Sequence, residues 1–540
     1  MKTAYSFIAL WLCIITGSAV AETCPIIPQP ATCQKNAGTF NLNSRATVAI
    51  RGKASASQAY YLQKEVLRLT GIALAENTVG KSPAIELNLI PGRADGEAYT
   101  LQIQPAKVTI SSASAEGLFN GIESFLQLAL FSPNNGRAVQ IPCWNISDKP
   151  LYGWRGIMLD ESRHFFGKEV VKNILDWMAF YKLNRFHWHL TDEPGWRFEV
   201  KRYPKLALVG GIGDYSNPAK PAQFYTQEDI KEIVSYAAER FIEVIPEVDM
   251  PGHATAANKA YPAYSGGGSA AHPDFTFNPG KEGTYAFLTN ILKETDALFP
   301  SQMIHLGGDE VSYGNEKWAT DSGIQALRSK YQLKDLKAVE DYFIQRMADS
   351  VFVMNNKVLA WDEAVSTNLP ANKTIVLWWR HDKPQQLKMA LDKKYSVVLC
   401  PRIPLYFDFV QDSTHQVGRR WAGDFASLTK LYNFSGTEYI PNAGNNSLLL
   451  GMQANLWTEK IATTQRLEYM LFPRIAALAE SAWTAPANKD FGQFKNRLNP
   501  HLALYKASGL SYFNALDAKL TPEIIDPAAR EQKMFQMLDK

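Results

Sequence analysis

Residues 303–310 read MIHLGGDE, and the fold prediction starts from this stretch. A short apolar run begins at Met303 and stops at a pair of glycines, after which Asp309 and Glu310 follow at once. Such a run is typical of a buried strand. Polar residues directly behind it are expected at the carboxyl end of that strand, where functional groups gather in barrels of parallel strands.

The same pattern recurs along the chain from Trp154 onward, with amphipathic helical stretches between the strands. Eight strand-helix units predict a (β/α)8 barrel with enlarged loops. The predicted strands are Gly156–Asp160, Arg185–Leu190, Glu243–Val248, Met303–Gly307, Val358–Trp361, Ile375–Trp379, Ser396–Cys400 and Leu448–Trp457. The predicted helices include Lys168–Tyr181, Glu228–Arg240, Tyr285–Leu298, Lys337–Val351, Gln385–Leu391 and Arg466–Trp483.

The barrel is expected to span residues 148–500 and to follow a smaller domain. Residues 22–147 mix predicted strands such as Tyr99–Ile103 with helices such as Ala115–Leu130, which indicates an α+β domain without chemistry of its own. Residues 501–540 are expected to form a C-terminal helical extension. The predicted fold class is α/β, a (β/α)8 TIM barrel preceded by a small α+β domain.

Residues 1–21 have the composition of a secretory signal peptide. Lys2 precedes an apolar run from Phe7 to Ile15, and small residues end at Ala21. The run is shorter than the roughly 20 apolar residues of a membrane-spanning helix, and no later segment qualifies. We therefore expect cleavage after Ala21, no integral membrane segment, and export, to the periplasm or the medium if the source is bacterial.

The charge balance argues against a polyanionic partner. The 56 basic and 53 acidic residues nearly cancel and are mixed along the chain, so the sequence carries no electrostatic footprint for nucleic acid. An uncharged or weakly charged substrate fits better. Oligomeric state stays open.

The cysteines divide into two kinds. Cys24 and Cys33 lie in the exported part of the chain and are expected to form a small local disulfide. Cys143 and Cys400 lie in apolar, strand-like surroundings and are expected to be buried free thiols.

Acidic and aromatic residues gather at the ends of the predicted barrel strands. Carboxylates can supply the acid and the stabilising base for an oxocarbenium-like transition state, and aromatic rings can stack on a sugar ring. The combination predicts glycoside hydrolysis. In chain order the groups are Asp160-Glu161-Ser162-Arg163, Asp192-Glu193, Glu247 to His253, Gly307 to Glu310, Trp361-Asp362-Glu363, Trp378-Trp379-Arg380, Tyr406-Phe407-Asp408 and Trp457-Thr458-Glu459.

The pair Asp309-Glu310 is the leading catalytic candidate. An acidic pair after a strand more often caps a helix, but two preceding glycines let the backbone bend where a ligand must come close. Asp249 and His253 suit a supporting role for the proton of the acid. The tryptophans at three strand ends are expected to line a pocket: Trp361, Trp379 and Trp457.

His187-Trp188-His189 leaves a rival class open, since His-x-His at an early barrel strand begins the metal site of some hydrolases. Such a site needs histidines at later strand ends. Beyond His305, within the fourth strand, the strand ends from the fifth to the seventh offer only His381. We therefore expect no metal and no cofactor, and interpret His187 and His189 as structural residues of the barrel interior. A metal-dependent amidohydrolase and a non-catalytic sugar-binding protein remain the alternatives.

Three motifs resemble the family-20 β-N-acetylhexosaminidases, namely Trp154–Phe165, Phe186–Asp192 and His305–Val311. The resemblance covers most of the mature chain, including the α+β domain. It implies an exo-acting enzyme that removes terminal non-reducing β-linked N-acetylglucosamine or N-acetylgalactosamine from oligosaccharides and glycoconjugates. It also implies substrate-assisted retaining catalysis, in which the 2-acetamido oxygen of the substrate is the nucleophile and an oxazolinium ion forms.

The resemblance assigns roles to individual residues. Glu310 becomes the general acid and then the base, while Asp309 holds the acetamido N–H and stabilises its developing charge. Tyr406 hydrogen-bonds the acetamido oxygen. The substrate-binding residues it implies are Arg163, Asp192, Trp361, Trp379, Tyr406, Asp408, Trp457 and Glu459. Support around Arg163 and Glu310 would come from Asp192, Asp249 and His253.

Two positions bear on details of the site. Many relatives have Asp where Glu193 stands, which makes the loop after the second strand uncertain. Asp408 would lie near O4 and O6 of the terminal sugar and is followed by Phe409 rather than a cation. We expect a 6-sulfate there to meet a like charge, so that neutral terminal sugars are preferred.

Overall fold

The computed structural model describes residues 24–52, 56–75, 84–90 and 96–525. The predicted signal peptide and residues 526–540 of the predicted C-terminal extension lie outside the described residues. No helix in these ranges is long and apolar enough to cross a membrane.

The first part of the chain forms a six-stranded sheet with two helices on it. The strands pair in the order β1-β6-β4-β5-β3-β2. Helix α2 is buried along nearly its whole length, because it lies between this sheet and the barrel, where Gln127 Nε2 donates to the Phe180 carbonyl at 2.8 Å. The elements are β1 (Thr32–Asn43), β2 (Val48–Gly52), α1 (Ala56–Thr70), β3 (Ile85–Leu89), β4 (Tyr99–Gln104), β5 (Lys107–Ser112), α2 (Ala115–Leu130) and β6 (Ala138–Asp148).

The second part closes into a parallel barrel in the order β7-β8-β9-β12-β13-β14-β15-β16, with β16 returning to β7. Its strands and one small hairpin, β10–β11, are β7 (Trp154–Asp160), β8 (Arg185–His189), β9 (Glu243–Glu247), β10 (Ser265–Gly267), β11 (Thr276–Phe277), β12 (Met303–His305), β13 (Lys357–Trp361), β14 (Thr374–Trp378), β15 (Ser396–Leu399) and β16 (Leu449–Leu456).

Helices flank the barrel strands. They are α3 (Lys168–Phe180), α4 (Lys205–Leu208), α5 (Gln227–Ala238), α6 (Thr255–Ala260), α7 (Glu282–Leu298), α8 (Ser322–Tyr331), α9 (Leu336–Val353), α10 (Pro384–Asp392), α11 (Arg402–Leu405), α12 (Leu428–Asn433), α13 (Thr464–Leu471), α14 (Arg474–Trp483) and α15 (Phe491–Ala507). The predicted (β/α)8 barrel is confirmed. Each predicted barrel strand is present, with its ends shifted by at most two residues.

Two predicted helical stretches differ from the structure. The stretch 466–483 is broken into α13 and α14 around Pro473, which has no N–H to donate to a helical bond. Within the described part of the predicted C-terminal extension, residues 501–525, the α-helix ends at Ala507. The chain then passes through Gly509 at φ +74° and continues to Ile525 with a single short 3₁₀ turn.

The predicted disulfide between Cys24 and Cys33 is not formed, since both are free thiols. The two residues pack against the hydrophobic core of the first domain. A hydrogen bond with Cys24, and then burial, raise the pKa of the Cys33 thiol. Cys143 and Cys400 are buried free thiols, as predicted.

Candidate active site

The carboxyl ends of the barrel strands surround a cavity of about 640 Å³. Parallel strands end on one side of a barrel, so residues distant in sequence meet there. The predicted site residues that line the cavity are Arg163, His253, Asp309, Glu310, Trp361, Trp379, Tyr406, Asp408, Trp457 and Glu459.

Asp309 and Glu310 follow β12 through a turn that requires glycine. Gly307 has φ +68°, and a Cβ atom there would lie 1.8 Å from Asp249 Oδ1. The N–H of Gly308 donates to the same oxygen over 3.3 Å. Glu310 itself has φ +53°, a left-handed conformation. Residues other than glycine adopt this conformation only at a cost in free energy. The backbone is thus strained at the point where it presents the acidic pair to the cavity.

The two acids differ in exposure. The side chain of Asp309 is 12% exposed and that of Glu310 is 30% exposed. Burial raises the pKa of Asp309 well above its usual range, and the charge of Asp249 adds to the rise. Asp249 is also buried, and burial raises its pKa in the same direction. Of the two neighbouring acids, Asp309 is therefore enclosed, and Glu310 is the one that a leaving group can reach.

His253 connects the acidic pair to a buried carboxylate. Its Nε2 lies 3.6 Å from Asp309 Oδ2 and 3.8 Å from Glu310 Oε2, and its Nδ1 pairs with Asp192 Oδ1 at 3.0 Å. Burial alone would lower the pKa of His253, but the charges of Asp192 and Asp309 outweigh it and raise that pKa to about 10. The imidazole is therefore a cation at neutral pH beside both acids.

Asp192 lies behind the cavity wall and is not among the residues that line it. It is 2% exposed and pairs with Arg163 Nη1 at 2.7 Å and with His189 Nε2 at 2.9 Å. Despite burial, Arg163 and then His253 hold the pKa of Asp192 well below its usual range. Asp192 is thus an anion that orients the cavity residue Arg163. Asp249 also lies behind the wall, consistent with the supporting position predicted for it.

The barrel interior beneath the cavity holds Glu247 among three histidines. Glu247 Oε2 lies 2.6 Å from His189 Nδ1 and 3.0 Å from His187 Nε2, and Oε1 lies 3.0 Å from His305 Nδ1. Trp361 Nε1 donates to Oε1 at 2.9 Å. His187 and His189 are both fully buried in the barrel interior, where the sequence placed them. The ligand atoms of His187, Glu247 and His305 are close enough to hold a metal ion, but the contacts above already pair them with one another.

The predicted aromatic residues form the cavity walls. The rings of Trp361 and Trp457 are 5.9 Å apart, and those of Trp379 and Tyr406 are stacked at 6.2 Å with an angle of 11° between them. Trp379 Nε1 donates to Glu363 Oε2 at 3.1 Å, which fixes the ring plane. Flat rings held in this way offer apolar faces to a bound sugar.

Most of the cavity residues that the sequence analysis missed lie in one loop, and Arg402 of α11 is a further one. We call residues 410–426 the rim loop; they belong to the long connection between β15 and β16. The loop adds a charged and aromatic stretch to the cavity that no strand-end pattern marks: Gln416, Gly418, Arg419, Arg420 and Trp421. The sequence signal that could have marked this loop is the run of three large residues at 419–421.

Arg419 changes the electrostatics expected around Asp408. Its Nε lies 3.1 Å from Asp408 Oδ2, and its Nη2 lies 2.5 Å from Glu459 Oε1. Burial raises the pKa of Asp408 to about 7, although Arg419 opposes the rise. An anion at this end of the cavity would therefore meet a guanidinium group together with the acid, whereas the sequence predicted the acid alone.

Family models match both parts of the chain. The model of glycosyl hydrolase family 20, catalytic domain, matches residues 152–486, and that of glycosyl hydrolase family 20, domain 2, matches residues 23–149. The first match covers the whole barrel and the cavity residues described above.

Named relatives agree with the family models. A beta-hexosaminidase of Porphyromonas gingivalis is 32% identical over 90% of the chain, which spans 64% of the length of that relative. A beta-N-acetylhexosaminidase of Cellulomonas fimi is 31% identical over 90% of the chain and 95% of its own length. The crystal structure of an exo beta-N-acetylglucosaminidase from Vibrio harveyi with N-acetylglucosamine has a TM-score of 0.84 at 31% identity, covering 92% of this chain and 79% of that one.

Proposed function

The chain belongs to glycosyl hydrolase family 20, and we propose that it is an exo-acting β-N-acetylhexosaminidase that removes terminal non-reducing β-linked N-acetylglucosamine or N-acetylgalactosamine from oligosaccharides and glycoconjugates. One observation carries the proposal. An enclosed Asp309 stands beside an accessible Glu310 in a cavity whose walls include Tyr406 and three strand-end tryptophans, Trp361, Trp379 and Trp457. This arrangement supports the family resemblance seen in the sequence.

The reaction uses the acetamido group of the substrate as the nucleophile. Retaining glycosidases with an enzymatic nucleophile place their two carboxyl groups about 5–5.5 Å apart on either side of the bond. Here the second acid is the direct chain neighbour of the first and lies deeper, so it suits a group beside the acetamido nitrogen. Asp309 accepts a hydrogen bond from the acetamido N–H and stabilises the positive charge of the oxazolinium ion. Tyr406 donates a hydrogen bond to the acetamido oxygen.

Glu310 transfers the proton. Its greater exposure lets it reach the glycosidic oxygen of the leaving group, which it protonates as the acetamido oxygen attacks the anomeric carbon. The resulting carboxylate then takes a proton from water. The water oxygen attacks the anomeric carbon and opens the oxazolinium ring, so that the configuration is retained overall. His253, cationic beside both acids, offsets the negative charge that Glu310 acquires when it gives up its proton.

Binding of the sugar falls to the opposite end and walls of the cavity. Arg163 and Glu459 hold ring hydroxyls, and Asp408 reaches O4 or O6. The rings of the three tryptophans cover the sugar face and the acetamido methyl group.

The activity is tested with matched aryl glycosides. The enzyme should hydrolyse an aryl β-N-acetylglucosaminide, leave the corresponding β-glucoside almost untouched, and be inhibited by N-acetylglucosamine thiazoline, a mimic of the bicyclic intermediate. Comparable turnover of the two glycosides would indicate an enzymatic nucleophile. No turnover of either would favour a sugar-binding protein, and loss of activity with a chelator would favour the metal-dependent class.

Export by the N-terminal segment is a further part of the proposal. It is supported by the charge, apolar run and small residues of positions 1–21 alone. N-terminal sequencing of the secreted protein should begin at Glu22. An intact N terminus on active protein inside the cell would contradict it.

A further inference from the structure

The rim loop reaches the cavity with Arg419, which lies between two acids. Asp408 is 2% exposed, and the guanidinium group of Arg419 bridges it to Glu459 at 3.1 and 2.5 Å. Burial and then the charge of Glu459 raise the pKa of Asp408, whereas Arg419 acts to lower the pKa of both acids. A sugar hydroxyl both donates and accepts hydrogen bonds, so a cation between two carboxylates offers it both kinds of partner.

Backbone hydrogen bonds fix the part of the rim loop that faces the cavity. Arg419 N donates to the Asp408 carbonyl at 3.1 Å, and Val410 N donates to the Arg419 carbonyl at 3.2 Å. The preceding Gly418 has φ +126°, and a Cβ atom there would lie 2.7 Å from a methyl carbon of Val410. The direction in which Arg419 points therefore depends on where residues 416–418 are held.

The C-terminal segment holds those residues. The consecutive amides of Gln416 and Val417 donate to Oε2 and Oε1 of Glu523, at 2.5 and 3.0 Å. Arg466 of α13 secures the same carboxylate at 3.1 Å and donates to the Val417 carbonyl at 2.5 Å. The Arg466 side chain is 1% exposed and that of Glu523 is 9% exposed, so solvent screens this contact little.

We propose that Arg419 is a specificity-determining residue for the sugar hydroxyls at the Asp408 end of the cavity, and that Glu523 is the positioning residue that holds it there. The inference rests on the proposed function, because it takes Asp408 and Glu459 to bind the terminal sugar. Charge-assisted hydrogen bonds to two successive amides fix a loop more firmly than neutral ones. A segment far from the reacting bond thereby controls recognition of the substrate.

The test compares Glu523→Gln with a matched control, Glu294→Gln. Glu294 also accepts two successive backbone amides, those of Lys201 and Arg202 at 2.8 and 2.9 Å, but it lies on α7 outside the cavity. With an aryl β-N-acetylglucosaminide, Glu523→Gln should raise KM about 5- to 20-fold and change kcat less than about threefold. Glu294→Gln should leave both constants as in the wild type.

Deoxy substrates separate a positioning role from general damage. The ratio of kcat/KM for the normal aryl glycoside to that for its 4-deoxy and 6-deoxy analogues should fall toward one in Arg419→Ala and in Glu523→Gln. In the Arg419→Ala background, Glu523→Gln should add less than about a twofold loss, because the two residues act through one contact. Should Glu523→Gln fail to fold, Arg419→Lys with the same substrate ratios decides the role of Arg419.

Three results would overturn the inference. They are additive losses in the double variant, unchanged deoxy ratios in the Arg419 variants, or an equal loss in Glu294→Gln. Normal wild-type turnover combined with any of them leaves the proposed function standing. A wild type that hydrolyses no N-acetylhexosaminide would overturn both.

Discussion

The two ends of the cavity are built from different kinds of structure. Asp309 and His253 follow β12 and β9 within a few residues, and His253 contacts the buried Asp192. Arg419, at the other end, belongs to a long connection and its side chain is 49% exposed. The proposed chemistry therefore rests on short turns fixed by the barrel, whereas recognition of the distal hydroxyls rests on a loop that another segment must hold.

The largest expected effect is at the acid end. Glu310→Gln should lower kcat/KM about 10²- to 10⁴-fold on oligosaccharides, whose leaving groups need protonation, and far less on aryl glycosides with activated leaving groups. The measurement is kcat/KM for both substrate types on the same preparation. Equal losses on both would remove the general-acid role and with it the division between the two ends.

Asp309→Asn should cause the next largest loss of activity. It should cost about 2–4 kcal/mol of transition-state stabilisation, because a preorganised electrostatic partner of the acetamido group is lost. The thiazoline should bind the variant more weakly for the same reason. A loss of less than about threefold in kcat/KM on the aryl β-N-acetylglucosaminide would show that the enclosed acid does not act on the reaction.

This end of the cavity was also the one that the sequence predicted well. Each barrel strand was found because a buried parallel strand is a short apolar run, and polar residues behind it mark its carboxyl end. The position of Asp192 behind the wall was less readable, since the pattern shows that a residue follows a strand and leaves open which way its side chain turns.

The opposite end was predicted only in part, for physical reasons. Asp408 stands near a strand end and was identified, but the rim loop has no periodicity because loop conformation depends on tertiary contacts. Its anchor, Glu523, lies 104 positions after Arg419, a pairing that no local pattern encodes.

In the first domain, the edge strand β1 was missed because its sequence, TCQKNAGTFNLN, is mostly polar.

A pH experiment tests whether buried ion pairs stabilise the acid end. The folded-state pKa of His253 is raised to about 10, above its unfolded value, so its pairing stabilises the fold fully below about pH 6.5 and is lost as the pH rises toward 10. His253→Gln should therefore reduce the free energy of unfolding by about 2 kcal/mol more at pH 6 than at pH 10. Denaturant melts at both pH values measure this difference, and an equal loss at both would contradict it.

The smallest and most selective effect is expected at Arg419. Asp408 alone would repel a 6-sulfate, but the adjacent guanidinium group attracts it, so the wild type should discriminate less than the acid by itself predicts. Arg419→Met should raise the ratio of kcat/KM for the plain over the 6-sulfated aryl glycoside about tenfold, and Asp408→Asn should lower it. Neither should approach the losses of the Glu310 variant on oligosaccharides.

The pH dependence of that ratio identifies the group responsible. Because the pKa of Asp408 is raised to about 7, more of it is ionised at pH 8 than at pH 6, and the wild-type preference for the plain substrate should rise over this interval. The sulfate stays ionised throughout, so the change belongs to the protein. Asp408→Asn should remove the rise, whereas Arg419→Met, which takes away a charge that lowers the pKa of Asp408, should move the rise to higher pH. If Asp408→Asn retains the full rise, another group sets the preference and Asp408 only braces the loop.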